Sequence, residues 1–184
     1  MKNTAADALS HAVEGMFTVK SNPIGDMAAL ESIGILFSIF PVLGEEILSL
    51  ETCDRLLYAS MLAGTVIAQS GTTAVHAMGY PLTYHYGTPH GEANGVLLGA
   101  MMRLCMERLP ETTEKILRAA GLNDVEEFEK ALKNMLKGHT VYAANDLIDY
   151  AEEVAANPKL SGVTYRPDKK DVLKMYLESD IVKD

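Results

Sequence analysis

Two pairs of side chains in this sequence have residue types and spacings that could bind a metal ion. Asp7 and His11 lie four positions apart, so on a helix they project from the same face about one turn apart. His76 and His90 lie fourteen positions apart in VHAMGYPLTYHYGTPHGEANG, where a helix and a loop folded back could bring them together. One carboxylate and three imidazoles suit zinc or iron, and they suit calcium or magnesium poorly.

The same four residues also have a simpler interpretation. A histidine on an apolar face is more often a hydrogen-bonded core residue than a ligand, and an Asp-x-x-x-His pair alone is a weak signal. If all four bind one ion, they would close a tetrahedral zinc site, whereas Fe(II) could keep positions open for a substrate oxygen. The pattern therefore predicts a metal site and leaves structural histidines as the alternative.

Other polar residues near these motifs have less specific roles. Glu14 could orient His11 through a hydrogen bond or face solvent. Glu92 is expected to stabilise a helix N-terminus, and Asn94 could bond near the site or cap a turn. His85 is expected on a solvated loop, although it could line the cleft. His139 is expected near a helix end at the surface.

The elements that must position these residues are all predicted to be helices. Apolar periodicity, caps and breakers predict helices over residues 3–17, with Asn3 or Thr4 as the cap, and over 24–50, bent near Pro41. Further helices are predicted over 52–70, 75–84 with disturbance at Gly79 and Pro81, 92–109, 125–136, 141–155 and 167–177. His90 is expected on a loop marked by Gly87, Pro89 and Gly91. No alternating strand is found, so the sequence predicts one all-α multi-helix bundle over residues 1–184.

Composition limits the classes of partner. The chain has 184 residues and a net charge of -9, which argues against nucleic-acid binding. Its two cysteines, Cys53 and Cys105, imply no disulfide framework and fit a reducing, cytoplasmic location. The N-terminus lacks the apolar segment of a signal peptide. The apolar stretch at residues 33–44 is shorter than the roughly 20 residues of a membrane span, so we expect a core helix and no membrane.

Three runs in this order and spacing carry a family resemblance: DALSHAVEG, VHAMGYPL and GTPHGEANGVLL. Together with the closing segment NPKLSGVTYRPDKKDVLKMYLES they resemble the iron-containing (group III) alcohol dehydrogenases, whose helical domain has a dehydroquinate synthase-like fold. The resemblance covers essentially the whole chain. It implies an oxidoreductase that interconverts a primary alcohol or short diol with its aldehyde, using NAD(P), in which the metal acts as a Lewis acid.

The resemblance also implies roles for particular residues. The family's metal is bound by one Asp and three His, which fall on Asp7, His11, His76 and His90. We expect Fe²⁺ first, with Zn²⁺ as the alternative. Tyr80 stands where many members carry a further His that is assigned to proton relay. A tyrosine OH could still donate a hydrogen bond, but with an ordinary pKa near 10 it is a poorer proton shuttle at neutral pH than histidine.

The resemblance begins at the family's metal-binding helix. We therefore expect the nucleotide-binding domain to be absent from this chain, and the chain alone not to be a competent dehydrogenase. A homo-oligomer is expected, and the apolar surface that would meet the other domain predicts self-association. Two other classes stay open: a non-catalytic metal-binding or interaction module, and a metal-dependent phosphohydrolase. The second usually needs an adjacent His-Asp dipeptide, and this sequence contains none.

Overall fold

Helices account for most of the molecule in the computed structural model, which describes residues 1–183. Within those residues the elements are α1 (Lys2–Met16), α2 (Pro23–Ile39), a 3₁₀ turn (Phe40–Val42), α3 (Leu50–Ser70), α4 (Ala74–Tyr86), α5 (His90–Arg108), α6 (Pro110–Ala120), α7 (Val125–Met135), α8 (Ala144–Ala155), a second 3₁₀ turn (Pro158–Gly162) and α9 (Lys169–Leu177). Residues 1–183 form no β-strand, only the isolated bridges Thr18–Val163 and Tyr142–Val182. The predicted all-α bundle is confirmed.

Helix α1 packs against α2, α3, α4 and α5. It can do so because several of its side chains are small and fully buried, among them Ala5, Ala6 and Ala12. The approach of α5 is especially close: a Cβ on Gly91 would overlap the carbonyl oxygen of Asn3. Glycine at this position therefore lets the first turn of α5 lie directly against the first turn of α1, beside Asp7.

The prediction for the segment that carries His76 and His90 was partly wrong. Helix α4 runs without interruption from Ala74 to Tyr86, with Pro81 inside it. Pro81 removes one backbone hydrogen bond, but its neighbours Met78 and Leu82 are fully buried, and this packing holds the helix together. Helix α5 begins at His90, so the loop shrinks to residues 87–89, with Gly87 in the left-handed region at φ 69°. His90 therefore lies on a helix.

The first two helices differ from prediction at their ends. Asn3 and Thr4 lie inside α1, which begins at Lys2 without a side-chain cap. The predicted start of α2 is confirmed, since Asn22 accepts a hydrogen bond from the Gly25 N–H and Pro23 occupies the first turn. The predicted helix over 24–50 is wrong, because α2 ends at Ile39, shortly before Pro41, in a 3₁₀ turn.

The later helices are offset by a few residues. Pro110 opens α6. The spacing of Asn123 and Glu126 predicts a cap at Asn123, but α7 is capped one residue later by Asp124, whose carboxylate accepts from the Glu127 N–H at 2.8 Å. Helix α8 begins at Ala144 and α9 at Lys169, later than predicted. Asp168 caps α9 with a reciprocal capping box, which stops the helix from extending back to residue 167.

Helix α2 and its 3₁₀ turn form a longer apolar run than expected. By length and composition alone, Pro23–Val42 could cross a membrane, a test that the core helices of soluble proteins also pass. In this fold α2 packs against α1, α3 and α6. It is less buried than predicted, however, because Ile24 and Met27 are each more than 70% exposed. Helix α3 likewise presents Leu57 and Met61 to solvent.

Candidate metal centre

Three helices bring the four predicted ligands together around one oxygen atom. Asp7 and His11 come from α1, His76 from the first turn of α4, and His90 from the first position of α5. Asp7 Oδ1 lies 3.7 Å from His11 Nε2, 3.6 Å from His76 Nε2 and 3.6 Å from His90 Nε2. The four-residue spacing of Asp7 and His11 on α1 explains their contact, whereas the contacts of Asp7 with His76 and His90 depend on how α4 and α5 pack against α1.

These distances fit a group of donors around one ion. Ligands bound at about 2.1 Å in a tetrahedron lie roughly 3.4 Å apart, close to the separations from Asp7 Oδ1. Donor atoms of Asp7, His76 and His90 all lie within 4.8 Å of one another, and His11 adjoins this group through Asp7. His76 Nε2 is buried without a hydrogen-bond partner, which is costly for a polar atom unless something else binds it. A divalent metal would satisfy it.

Glu14 fixes the orientation of His76. This carboxylate is 1% exposed and accepts hydrogen bonds from the Thr73 N–H at 3.1 Å, the Thr73 hydroxyl at 2.7 Å and the Val75 N–H at 2.8 Å. It also accepts from His76 Nδ1. Because a carboxylate only accepts, Nδ1 carries a proton, so in the neutral imidazole it is the Nε2 lone pair that faces Asp7. The sequence left Glu14 as either a partner of His11 or a solvent-facing residue, and both alternatives are wrong, since Glu14 is buried and faces α4.

Asn94 contacts two of the other predicted ligands, which is the first of the two roles that the sequence left open. Its side-chain amide donates to Asp7 Oδ1 at 3.0 Å and lies 3.2 Å from His90 Nε2. The residue is fully buried on α5, one turn after His90. A Cβ on Gly79 of α4 would overlap Asn94 Oδ1, so glycine there makes room for the amide. The sequence had pointed to Asn94 as a possible bonding partner near the site, but it had predicted Gly79 only as a disturbance of the helix.

Burial and mutual contacts shift the pKa values of the ligands in opposite directions. Burial alone would raise the pKa of Asp7, but the contact with His76 Nε2 and the charges of the other imidazoles lower it below its usual value. Burial lowers the pKa of His11, against the pull of Asp7. Burial would also lower the pKa of His76, yet its contacts with Asp7 and Glu14 outweigh that effect and raise it to about 9. The cluster thus favours a positive charge beside Asp7, carried either by a second proton on His76 or by a metal ion that takes the place of that proton.

The centre opens to solvent on the side of His90. The side chain of His90 is 39% exposed and that of His76 only 2%. Tyr80, one turn after His76, stacks its ring on the His90 ring with centroids 5.9 Å apart and is itself half-exposed. Tyr80 therefore lies at the mouth of the centre, and its role in proton relay stays a prediction.

The remaining polar candidates lie away from the ligands. His85 is exposed on the last turn of α4 and stacks on Tyr150. His139 lies 3.2 Å from the Asp180 carbonyl oxygen. Glu92 is in the first turn of α5 and also accepts from the Thr140 N–H at 2.9 Å.

Charge alone predicts that the acidic residues of Glu111 to Glu129 form a solvated face, and one of them contradicts this prediction. Glu129 is 8% exposed and pairs with Arg103, whereas Glu111, Glu114 and Glu126 are exposed as predicted. The methionines divide between core and surface: Met78, Met101 and Met102 are fully buried or nearly so, while Met27 and Met61 are largely exposed.

Comparison with known proteins decides the family. Residues 2–163 match the model of the Fe-containing alcohol dehydrogenase family, C-terminal. The chain belongs to this family. The resemblance found in the sequence motifs is thus confirmed, and so is its assignment to the C-terminal part of the family's proteins.

Individual members of the iron-containing alcohol dehydrogenase family agree. The chain is 35% identical to the 1,3-propanediol dehydrogenase of Klebsiella pneumoniae over 123 residues, which is 65% of this chain and 31% of that protein. It is 31% identical to alcohol dehydrogenase 4 of Schizosaccharomyces pombe over 171 residues, 92% of this chain and 38% of that one. An iron-containing alcohol dehydrogenase structure from Thermotoga maritima superposes with a TM-score of 0.81 at 33% identity, covering 95% of this chain and 47% of that one. The chain therefore spans about a third of its curated relatives and about half of this solved structure.

Two residues beside the centre were missed by sequence reasoning. Thr73 donates twice to Glu14, and Lys159 places its ammonium group by Thr72 and over the Tyr80 ring. Thr73 lies three residues before His76 but hydrogen-bonds Glu14, 59 positions away, and Lys159 lies far along the chain in NPKLSG, so no local spacing predicts either contact. Only the packing of the second 3₁₀ turn against α4 brings Lys159 to the mouth.

Proposed function

We propose that this domain is the metal-binding catalytic half of an NAD(P)-dependent alcohol dehydrogenase, with Asp7, His11, His76 and His90 holding one divalent ion. The observation that carries the proposal is the buried, unpartnered Nε2 atom of His76, held 3.6 Å from Asp7 Oδ1. A buried imidazole nitrogen that faces a carboxylate and two more imidazoles has the donor types that Fe²⁺ and Zn²⁺ accept. We propose Fe²⁺ as the ion, because the family is iron-containing.

The chain's own residues divide the work of building the site. Asp7 supplies the anionic oxygen, and three imidazoles supply neutral nitrogens. Glu14 sets the tautomer of His76, while Asn94 holds Asp7 and His90 in position through its amide. A bound divalent ion would supply a Lewis acid that polarises the oxygen of an alcohol or aldehyde. We propose that Tyr80, whose ring lies at the mouth beside His90, donates a hydrogen bond through its hydroxyl to that oxygen or to a water.

The substrate that we propose is a primary alcohol or short diol and its aldehyde. Named relatives include a 1,3-propanediol dehydrogenase and a lactaldehyde reductase, each about a third identical over part of their length.

We also propose that hydride passes to NAD(P) bound by a part of the enzyme beyond these 184 residues. On that basis, these residues alone bind metal but do not oxidise alcohols. A homo-oligomer and a cytoplasmic location remain predictions, to be checked by sedimentation and cell fractionation.

Metal analysis tests the central claim. The purified protein, loaded anaerobically with Fe²⁺ or with Zn²⁺, is expected to hold close to one ion per chain by mass spectrometry. His76→Ala should lose most of it. His85→Ala is the matched control, because His85 is an exposed histidine on the same helix that contacts none of the four ligands. Protein that folds but binds no ion, or equal metal in His76→Ala, would contradict the proposal and leave a non-catalytic module as the better account.

A further inference from the structure

Lys159 reaches the mouth of the metal centre from a distant part of the chain. The second 3₁₀ turn holds its backbone, and the Lys159 N–H donates to Asn157 Oδ1 at 3.0 Å. Its ammonium group donates to the Thr72 hydroxyl, just before α4, and lies 5.6 Å from the centroid of the Tyr80 ring. The side chain is partly buried along this path, so the charge is held in one place.

The position of this charge relates directly to the ligands. The Tyr80 ring that lies beside the ammonium group also stacks on the ring of His90, with an interplanar angle of 12°. Lys159, Tyr80 and His90 thus form a continuous series that ends at the proposed metal. Tyr80 and His90 are both about 40% exposed, so the series follows the open side of the centre.

The charge of Lys159 is not neutralised within residues 1–183. Lys133, Lys169 and Lys174 each form an ion pair with a carboxylate, but no carboxylate oxygen of the described chain lies within 4.0 Å of Lys159 Nζ. The Thr72 hydroxyl accepts one of the three ammonium protons, and a ring centroid 5.6 Å away accepts no conventional hydrogen bond, so two ammonium protons stay available. A partly buried cation with free donors forms strong, charge-assisted hydrogen bonds to an anion that enters beside it.

We propose that Lys159 is an anion-binding residue at the mouth of the metal centre. The anion is a carboxylate at the far end of a substrate whose alcohol or aldehyde oxygen lies at the metal, or a phosphate of the dinucleotide. The shared chemistry is an oxyanion that accepts two hydrogen bonds from the ammonium group. This inference rests on the proposed function, because the metal centre defines where the reacting end of the substrate lies.

Calorimetric titration of the zinc-loaded protein tests the substrate source. The probes are 5-hydroxypentanoate and its uncharged amide, 5-hydroxypentanamide, which differ only in the charge of the far end. The protein is expected to bind the acid about tenfold or more tightly than the amide. Lys159→Met, which keeps the aliphatic stem, should remove this preference, and Lys159→Arg should restore most of it. Lys115→Met is the control, since Lys115 is an exposed lysine on α6.

Inorganic pyrophosphate, titrated into metal-free protein so that it cannot chelate zinc, tests the second source. The anion would be assigned to the dinucleotide by two results together. Lys159→Met would lose pyrophosphate binding, and the unchanged protein would bind the acid and the amide equally. If Lys159→Met binds both anions as tightly as the unchanged protein, the inference is overturned. Zinc content is measured on each preparation, so failure of the metal site is seen separately. If Lys159→Met has a much lower Tm than the unchanged protein, Lys159→Gln is used in its place.

Discussion

Glu14 on α1 accepts a hydrogen bond from the Nδ1–H group of His76 on α4. This contact turns His76 Nε2 toward Asp7 Oδ1, and the two atoms lie 3.6 Å apart. A residue that coordinates nothing thereby determines which nitrogen is available to a metal. The carboxylate is saturated by three further donors from Thr73 and Val75, so it cannot rotate away without losing several buried hydrogen bonds. The start of α4 and the proposed metal site are therefore built on one side chain.

The first prediction concerns that side chain. Glu14→Gln keeps the shape but presents an amide N–H to His76 Nδ1, which would force the imidazole proton onto Nε2, where the metal should bind. Metal affinity is expected to fall about 10–100-fold, measured by competition with a chelator of known affinity. Glu31→Gln, an exposed glutamate on α2, is the control and should bind metal normally. Equal affinity in both variants would show that Glu14 does not set the tautomer.

The second prediction links metal to stability. An ion that binds the folded chain only, at 100 times its dissociation constant, adds about 2.7 kcal/mol. For a chain of this size that corresponds to a rise in Tm of roughly 5–10 °C. Zinc should therefore raise the Tm of the protein in differential scanning calorimetry, and a chelator should reverse the rise. Asp7→Asn removes the anionic oxygen shared by all three imidazoles, so its Tm should not respond to zinc. A full response in Asp7→Asn would place the ion elsewhere.

The third prediction tests the close contact of α5 with α1. Gly91→Ala would push a methyl group into the Asn3 carbonyl oxygen and against Asp7, so the helices must separate. We expect a loss of at least about 1–3 kcal/mol in the free energy of unfolding, together with weaker metal binding.

Gly64 on α3 provides the matched control for that substitution. It is also a helical glycine, but a Cβ there meets no atom within 4 Å. Gly64→Ala should stabilise the protein by about 0.5–1 kcal/mol through the higher helix propensity of alanine. Both free energies come from urea unfolding. If the two variants change stability by similar amounts, the contact at Gly91 is looser than the structure indicates.

The fourth prediction is a pH dependence away from the metal. Glu129 lines a groove between α5 and α7, and burial raises the pKa of its carboxyl above the usual 4.5 despite the nearby charge of Arg103. The folded state therefore holds the Glu129 proton more tightly than the unfolded chain does. This contribution to stability is complete below pH 4.5 and declines as pH rises through the folded pKa.

Urea unfolding of Glu129→Gln against the unchanged protein measures this contribution. The stability of the unchanged protein relative to the variant should fall between pH 4 and pH 7, because glutamine cannot ionise. A constant difference across that range would mean that Glu129 titrates normally. Glu126→Gln on the exposed side of α7 is the control and should show little change with pH.

Local sequence determined much of this protein. The four-residue spacing of Asp7 and His11 placed them on one helix face, and the caps Asn22 and Asp168 start their helices as local hydrogen bonding requires. The all-α class follows from periodicities of three and four residues. The motifs around the predicted ligands also indicated membership of the iron-containing alcohol dehydrogenase family. Each of these properties depends on residues within about one or two turns of each other, so it can be predicted from the amino-acid sequence.

Tertiary structure decided the rest. Glu14 is three residues from His11 but bonds His76, 62 positions away, because α1 turns that side chain toward α4. Packing keeps α4 helical past Pro81. It also buries Glu129, which charge alone predicted to be exposed to solvent. It also seats Asn94 against Asp7, 87 positions away, and Lys159 against Tyr80. Such contacts depend on how helix surfaces meet, which depends on side-chain shapes along both helices at once, and no spacing within one helix encodes that.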